Sequence, residues 1–168
     1  MGNTWLSLIG KFSIPLAIEF FMNVKGFDPG GRRQLDRPKR LFGFIDEAIP
    51  YFLTKVEKTT RDLYFADRDI RSILDKTIND LILCLVDIAE ECLKKKQRAI
   101  PDTYKDTLLA CHEFFGDIAL KIAPLTKHRN EMVHQYLKIN WQNIVTVKNK
   151  MPEIIEFTEK AREFISAP

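Results

Sequence analysis

The chain has 168 residues, 45% of them hydrophobic and 29% charged, a composition that fits one globular domain and excludes a disordered or fibrous chain. Its 26 basic and 23 acidic residues leave a formal charge of +3, too mild for nucleic-acid binding driven by the overall field, so any RNA site has to be a local patch. Three cysteines, Cys84, Cys92 and Cys111, form no Cys-x-x-Cys pair and are odd in number, which argues against a disulfide framework and for a reducing, cytoplasmic setting.

Trp5 to Met22 is apolar in blocks but matches neither a signal peptide nor a membrane span. No basic stretch precedes it, Lys11 and Glu19 interrupt it, Pro15 breaks it, and no small-residue cleavage site follows. An added helix or a partner-binding arm fits it; so does a start codon set too far upstream, because Gly26 to Arg40 (GFDPGGRRQLDRPKR) reads as a linker. The expected division is an N-terminal extension and linker over residues 1–36 and a helical-bundle domain over 37–168, with no membrane association.

Beyond the linker, strand alternation is almost absent and helical periodicity runs through nearly every window, which predicts an all-α fold. Leu41, Phe44, Ile45, Ala48, Phe52 and Val56 recur at spacings of three and four, so a helix is expected from about Pro38 to Thr59, with a kink at Pro50. A second helix is expected from Asp67 to Lys96 on the stripe Ile70, Ile73, Leu74, Thr77, Leu81, Leu85, Ile88 and Cys92. Its acidic start and its Lys94-Lys95-Lys96 end complement the helix dipole.

Pro101-Asp102-Thr103 then supplies a breaker and an N-cap for a third helix carrying Leu108, Leu109, Phe114 and Phe115 and ending at Gly116. Asp117 to Ile122 adds one or two turns before Pro124, and Thr126 is a candidate N-cap for the next helix. Asn140 caps a last stretch from Trp141 to Phe164, interrupted at Pro152. Four or five helices in an up-and-down bundle result.

The fourth of these helices holds Arg129-Asn130-Glu131-Met132-Val133-His134-Gln135-Tyr136, an Arg-x4-His-x-Tyr string. Arginine keeps its charge and grips phosphate with a planar fork, histidine titrates near neutrality, and tyrosine offers one ionisable hydroxyl. Such a set suits phosphodiester chemistry without a metal. At 100° per residue Arg129, Met132, Val133 and Tyr136 share one face, and Asn130 and His134 stack beside them one turn apart. With the helix starting near Thr126, its free N–H groups would also favour a phosphate.

A structural reading fits the same residues, with His134 a satisfied bundle histidine, Arg129 an ion-pair partner of Glu131 or Asp117, and Tyr136 a half-buried aromatic. Lys127 and His128 either extend a phosphate-binding patch or belong to a solvated charge cluster. The run Lys94 to Lys96 with Arg98 either guides RNA or is a solvated helix end, and His112 reads as structural. No Cys/His spacing suits zinc, no carboxylate cluster suits magnesium and no glycine-rich loop suits a nucleotide, so no cofactor or metal is expected.

Lys127 to Ile154 (KHRNEMVHQYLKINWQNIVTVKNKMPEI) resembles the signature region of HEPN proteins, in particular the HepT branch of the HEPN and minimal-nucleotidyltransferase toxin-antitoxin pairs. The order Arg129-Asn130, Met132-Val133, His134, Tyr136, Asn140 and Met151-Pro152 carries the likeness. Leu85 to Ala89 and the helix start at Pro101 to Tyr104 extend it, so that it covers about residues 37–168. Leu83 and Asn140 stand where acidic residues are common in that branch.

The resemblance implies a HEPN-like bundle that forms a two-fold homodimer and works as a metal-independent endoribonuclease toxin on an RNA substrate. It implies His134 as general base and acid, Arg129 as the stabiliser of phosphate charge, and Asn130 as their support. It also implies neutralisation through nucleotidylation of Tyr136 by a cognate minimal nucleotidyltransferase antitoxin, although a platform on which a base stacks is an alternative role for that tyrosine. A second function fits the same likeness: a catalytically silent HEPN module that binds nucleotide or RNA, or that partners a nucleotidyltransferase.

Overall fold

The computed structural model describes residues 37–134 and 140–168, with residues 130–134 described in their backbone alone. The expectations for residues 1–36, for residues 135–139 and for the Tyr136 side chain lie outside these bounds. Residues 36–168 form a compact unit.

Every regular element among the described residues is a helix: α1 Arg37–Glu57, α2 Arg61–Ala66, α3 Arg68–Lys95, α4 Tyr104–Ala110, α5 His112–Phe115, α6 Asp117–Ile122, α7 Leu125–His134, α8 Trp141–Asn149 and α9 Met151–Ser166. Polar residues set several of these boundaries. Asp67 accepts hydrogen bonds from the N–H groups of Asp69 and Ile70, Thr103 from Asp106, and Asn140 from Gln142, each satisfying donors that a helix start leaves orphaned. Thr60 does the same for Leu63 and starts α2, a short helix that the periodicity does not reveal.

Helix α1 starts at Arg37, one residue from the expected Pro38, so its first turn overlaps the end of the stretch that reads as linker, and Pro38 costs no hydrogen bond there. Helix α1 runs through Pro50, which lies on its exposed side, where water can take the carbonyl left without a partner. The expected third helix is broken at Cys111, whose N–H bonds back to Leu108 and Leu109 and tightens the last turn of α4. Gly116 ends α5 at φ 66° and ψ −146°, a backbone region that is essentially glycine's alone. Pro152 sits in the first turn of α9, so the last stretch divides into α8 and α9 at Lys150.

Helix α3 is the centre of the bundle and packs against α1, α2, α4, α7, α8 and α9. Being surrounded, it buries more than one stripe. Ile78, Ile82, Val86, Ala89 and Leu93 are enclosed along with Leu74, Leu81, Leu85, Ile88 and Cys92, whereas Ile73 is 39% exposed. Ile45 and Phe52 of α1 and Ile154 and Phe157 of α9 are fully buried in the same core. Truncating either phenylalanine to alanine would cost about 3–5 kcal/mol.

Polar ties fasten the outer helices. Arg37 reaches Glu91 at 2.6 Å and Asp87 at 3.1 Å, clamping the start of α1 to α3. Arg162 of α9 reaches Asp46 of α1 at 2.6 Å and lies over the Phe42 ring.

The basic run at the end of α3 has intramolecular duties. Lys94 pairs with Glu90 and Glu91, Arg98 pairs with Glu113, and Lys96 lies over the Phe164 ring. Lys95 donates to the Phe164, Ile165 and Ala167 carbonyls, closing the C-terminus of α9.

Cys84, Cys92 and Cys111 are buried free thiols, and burial pushes all three well above the ordinary thiol range. Among the described residues no helix is long and apolar enough to cross a membrane.

Candidate functional site

Helix α7 carries the motif as far as His134, and its start differs from the expected one. It begins at Leu125, and Thr126 lies inside its first turn, 3% exposed. The Thr126 hydroxyl donates to the Ala123 carbonyl at 2.8 Å instead of accepting from a backbone N–H. The N–H groups of Thr126 and Lys127 are taken by the Ala123 and Pro124 carbonyls, at 3.3 and 3.1 Å. The turn that follows α6 therefore feeds directly into α7 and occupies two of the donors that a phosphate would have needed. Arg129 stands in the second turn and His134 at the last described helical position, so neither lies at the helix start.

Arg129 is half-buried, and its guanidinium lies over the ring of Tyr104, 5.0 Å from the centroid. Tyr104 opens α4 and is 38% exposed. A cation held on an aromatic face keeps its charge and its planar fork while losing rotational freedom. Lys127, one residue before His128, is exposed on α7.

His128 is half-buried, and its Nδ1 lies 2.8 Å from the Oδ1 of Asn143 on α8. That oxygen also accepts from the Asn140 side-chain amide at 3.3 Å. The backbones of Asn130 and His134 are helical, and Arg129 and His134 are five positions apart, or about 7.5 Å of rise and 140° of rotation.

A second polar group stands at the start of α8. Tyr64 of α2 is 1% exposed, and its hydroxyl donates to Asp75 of α3 at 2.8 Å. Its ring packs on Trp141, the first residue of α8, at 5.3 Å between centroids. Burial, reinforced by Asp75, pushes the Tyr64 hydroxyl far above the ordinary phenol range, so it remains a donor. Burial also raises the Asp75 carboxyl, against the opposing effects of Tyr64 and Arg71. Asn140 is the first described residue after the motif, and its side chain caps α8 and reaches Asn143.

Of the residues expected at the site, the structure thus places Arg129, Lys127 and His128 together on α7, with the Asn130 and His134 backbones on the same helix. Tyr104, Asn143, Tyr64 and Asp75 are further residues that fasten this helix or the start of α8. Asn143, three residues after the Asn140 cap, had a signal in sequence, being polar at a position that the α8 pattern buries. Tyr104 meets Arg129 only through space, and Tyr64 and Asp75 stand by the start of α8. His112 lies on the surface, 3.6 Å from Asp117. Among the described residues no group of three or more histidine, cysteine or acidic side chains gathers where it could hold a metal ion.

The described residues are all-helical, and one helix carries Arg129 and His134 of the Arg-x4-His-x-Tyr string, which is consistent with a HEPN-like bundle. The family model described as ribonuclease HepT-like matches residues 45–161, more than two thirds of the chain, and the protein belongs to that family. No curated protein and no solved structure matches it.

Proposed function

We propose that the protein is a metal-independent endoribonuclease that cleaves RNA as the toxin of a toxin-antitoxin pair. The observation that carries this reading is the complete Arg129, His134 and Tyr136 motif inside a chain of the ribonuclease HepT-like family. His134 removes the proton from a ribose 2′-hydroxyl, and the 2′-oxygen attacks the adjacent phosphorus. The P–O5′ bond breaks, and the leaving 5′-oxygen takes a proton from an imidazolium. The products are a 2′,3′-cyclic phosphate and a 5′-hydroxyl. Arg129 meets the charge that builds on the phosphoryl oxygens, and Asn130 orients His134 or the phosphate.

Two copies pair about a two-fold axis so that their motifs face one cleft, in a cytoplasmic setting that agrees with three reduced core thiols. A minimal nucleotidyltransferase partner silences the enzyme by adding a nucleotide to Tyr136, which fills the cleft and repels RNA by like charge. The half-buried Arg129 on its aromatic platform supports the catalytic version of the reading, because a preset cation stabilises developing charge without reorganising.

The test is cleavage of total RNA in EDTA by the wild-type protein and His134→Ala, with product ends examined for cyclic phosphate. Wild type should cut and His134→Ala should lose about 10²–10⁴-fold in rate at unchanged helicity. RNA binding without cleavage by either protein would replace this reading with that of a silent HEPN module.

A further inference from the structure

The hydrogen bonds around Asn143 fix one another in sequence. The Asn140 Oδ1 accepts from the Gln142 backbone N–H at 3.0 Å, as an N-cap does, so its amide nitrogen must point the other way, towards Asn143. Facing that donor, Asn143 must present its oxygen; the opposite amide orientation would set donor against donor. The same oxygen is the atom 2.8 Å from His128 Nδ1. An oxygen without a proton can only accept, so Nδ1 carries the hydrogen. A backbone N–H in α8 thereby determines, through two asparagines, which tautomer His128 adopts. Asn143 is 5% exposed, so water competes poorly for the bonds made to its Oδ1.

His128 and Arg129 are neighbours, about 100° apart around α7. The first is held by α8 through Asn143, and the second by α4 through Tyr104. With two adjacent residues gripped from two different helices, α7 cannot rotate without losing one contact. The start of α8 is itself anchored, because the Tyr64 ring packs on Trp141 while its hydroxyl donates to Asp75.

We infer that Asn143 is a positioning residue of the motif: its Oδ1 holds His128 in the Nδ1–H tautomer and so sets the rotation of the α7 turn that presents Arg129 and His134. The inference deepens the ribonuclease reading and rests on it for its catalytic consequence, while the positioning itself has a readout that needs no activity. Asn143 acts through His128 and does not touch the substrate.

The experiment uses the full chain with ¹⁵N-labelled histidine and arginine, recorded for wild type, Asn143→Leu and Asn143→Asp. There are three imidazoles to assign. Wild-type His128 should show the Nδ1–H pattern of long-range couplings. Asn143→Leu should lose it, and the Arg129 Nε–H and the His134 ring resonances should move. On an RNA oligonucleotide the same variant should lose about ten-fold in kcat, with KM near the wild-type value, as expected from one misplaced catalytic geometry. Asn143→Asp keeps an acceptor and should restore both the tautomer and most of kcat.

If Asn143→Leu does not fold, Asn143→Ser, which shortens the acceptor, reads the same resonances. An Nε2–H tautomer at His128 in wild type overturns the inference, and so do Arg129 and His134 resonances that stay in place once the acceptor is gone. Wild-type protein that leaves RNA intact while those resonances respond removes the ribonuclease reading and leaves Asn143 as the residue that positions the motif.

Discussion

The Arg129 guanidinium rests on the face of Tyr104, 5.0 Å from the ring centroid, and through this contact the start of α4 reaches the motif helix. The partner is a ring face, so its hydroxyl is dispensable. Tyr104→Phe should cleave RNA at close to the wild-type rate. Tyr104→Ala removes a cation–π contact worth about 0.5–1 kcal/mol at a partly exposed site, a loss of roughly two- to five-fold in kcat/KM. Steady-state kinetics on one RNA oligonucleotide decides it; equal losses in both variants would assign the effect to the hydroxyl instead.

Arg129→Lys tests the fork. The charge survives, but the planar pair of donors and the stacking on Tyr104 do not. We expect kcat to fall by at least ten-fold with helicity unchanged, as for the loss of a charge-assisted contact made in the transition state. A lysine variant that cuts as well as wild type would reduce Arg129 to a point charge.

Asp75 governs a pH dependence. Burial holds its carboxyl above the ordinary 3.8, so the folded protein keeps this proton to a higher pH than the unfolded chain does. Over that interval the folded state binds more protons, and stability contributed by this group falls as pH rises. Asp75→Asn still offers Tyr64 an acceptor and never ionises. Its urea midpoint should gain on wild type as pH climbs from about 4 towards 7, with the gain vanishing at more acidic pH. A gap of the opposite slope would mean that Arg71 outweighs burial at this site.

Arg37 joins three carboxylates, those of Asp87, Glu90 and Glu91, with its own side chain 25% exposed. Arg37→Ala leaves them facing one another at the start of α1. Bonds to charged groups of this kind contribute about 1.5–3 kcal/mol when sheltered, and partial exposure reduces the expected loss to about 1–2 kcal/mol. Chemical denaturation at low and high salt measures it, with the smaller difference expected at high salt.

Residues 36–168 form a compact unit, and the polar ties of α1 run to α3 and α9 within it. A chain starting at Asp36 should therefore unfold cooperatively at a temperature close to that of the full chain. A drop of more than a few degrees by calorimetry would show that the first 35 residues contribute to the core.

Helix boundaries were the most legible part of the fold, because Asp67, Thr103 and Asn140 act on N–H groups two or three residues away. Gly116 was legible for a related reason, since its backbone angles exclude other residues. Thr126 misled because a threonine near a helix start can donate backwards as well as cap forwards, and neighbouring residues do not decide between the two. Ile73 misled because a stripe marks periodicity, whereas the neighbours of α3 determine which of its sides are covered. The motif itself was visible as residue types at a fixed spacing. Its supports were not: Tyr64, Asp75 and Tyr104 lie 25 or more positions from Arg129 and meet the motif region only once the bundle has closed.

The three core thiols have a use in the laboratory. Cys84 leans on the Leu41 carbonyl where α1 meets α3, and Cys111 on the Ala89 carbonyl where α4 meets α3. Enclosed and held in the protonated form, they are silent towards alkylating reagents until a seam parts. Mass-resolved labelling of each sulfur against time would therefore act as a pair of clocks, one timing the departure of α1 from the spine and the other that of the α4 turn whose first residue carries the arginine platform.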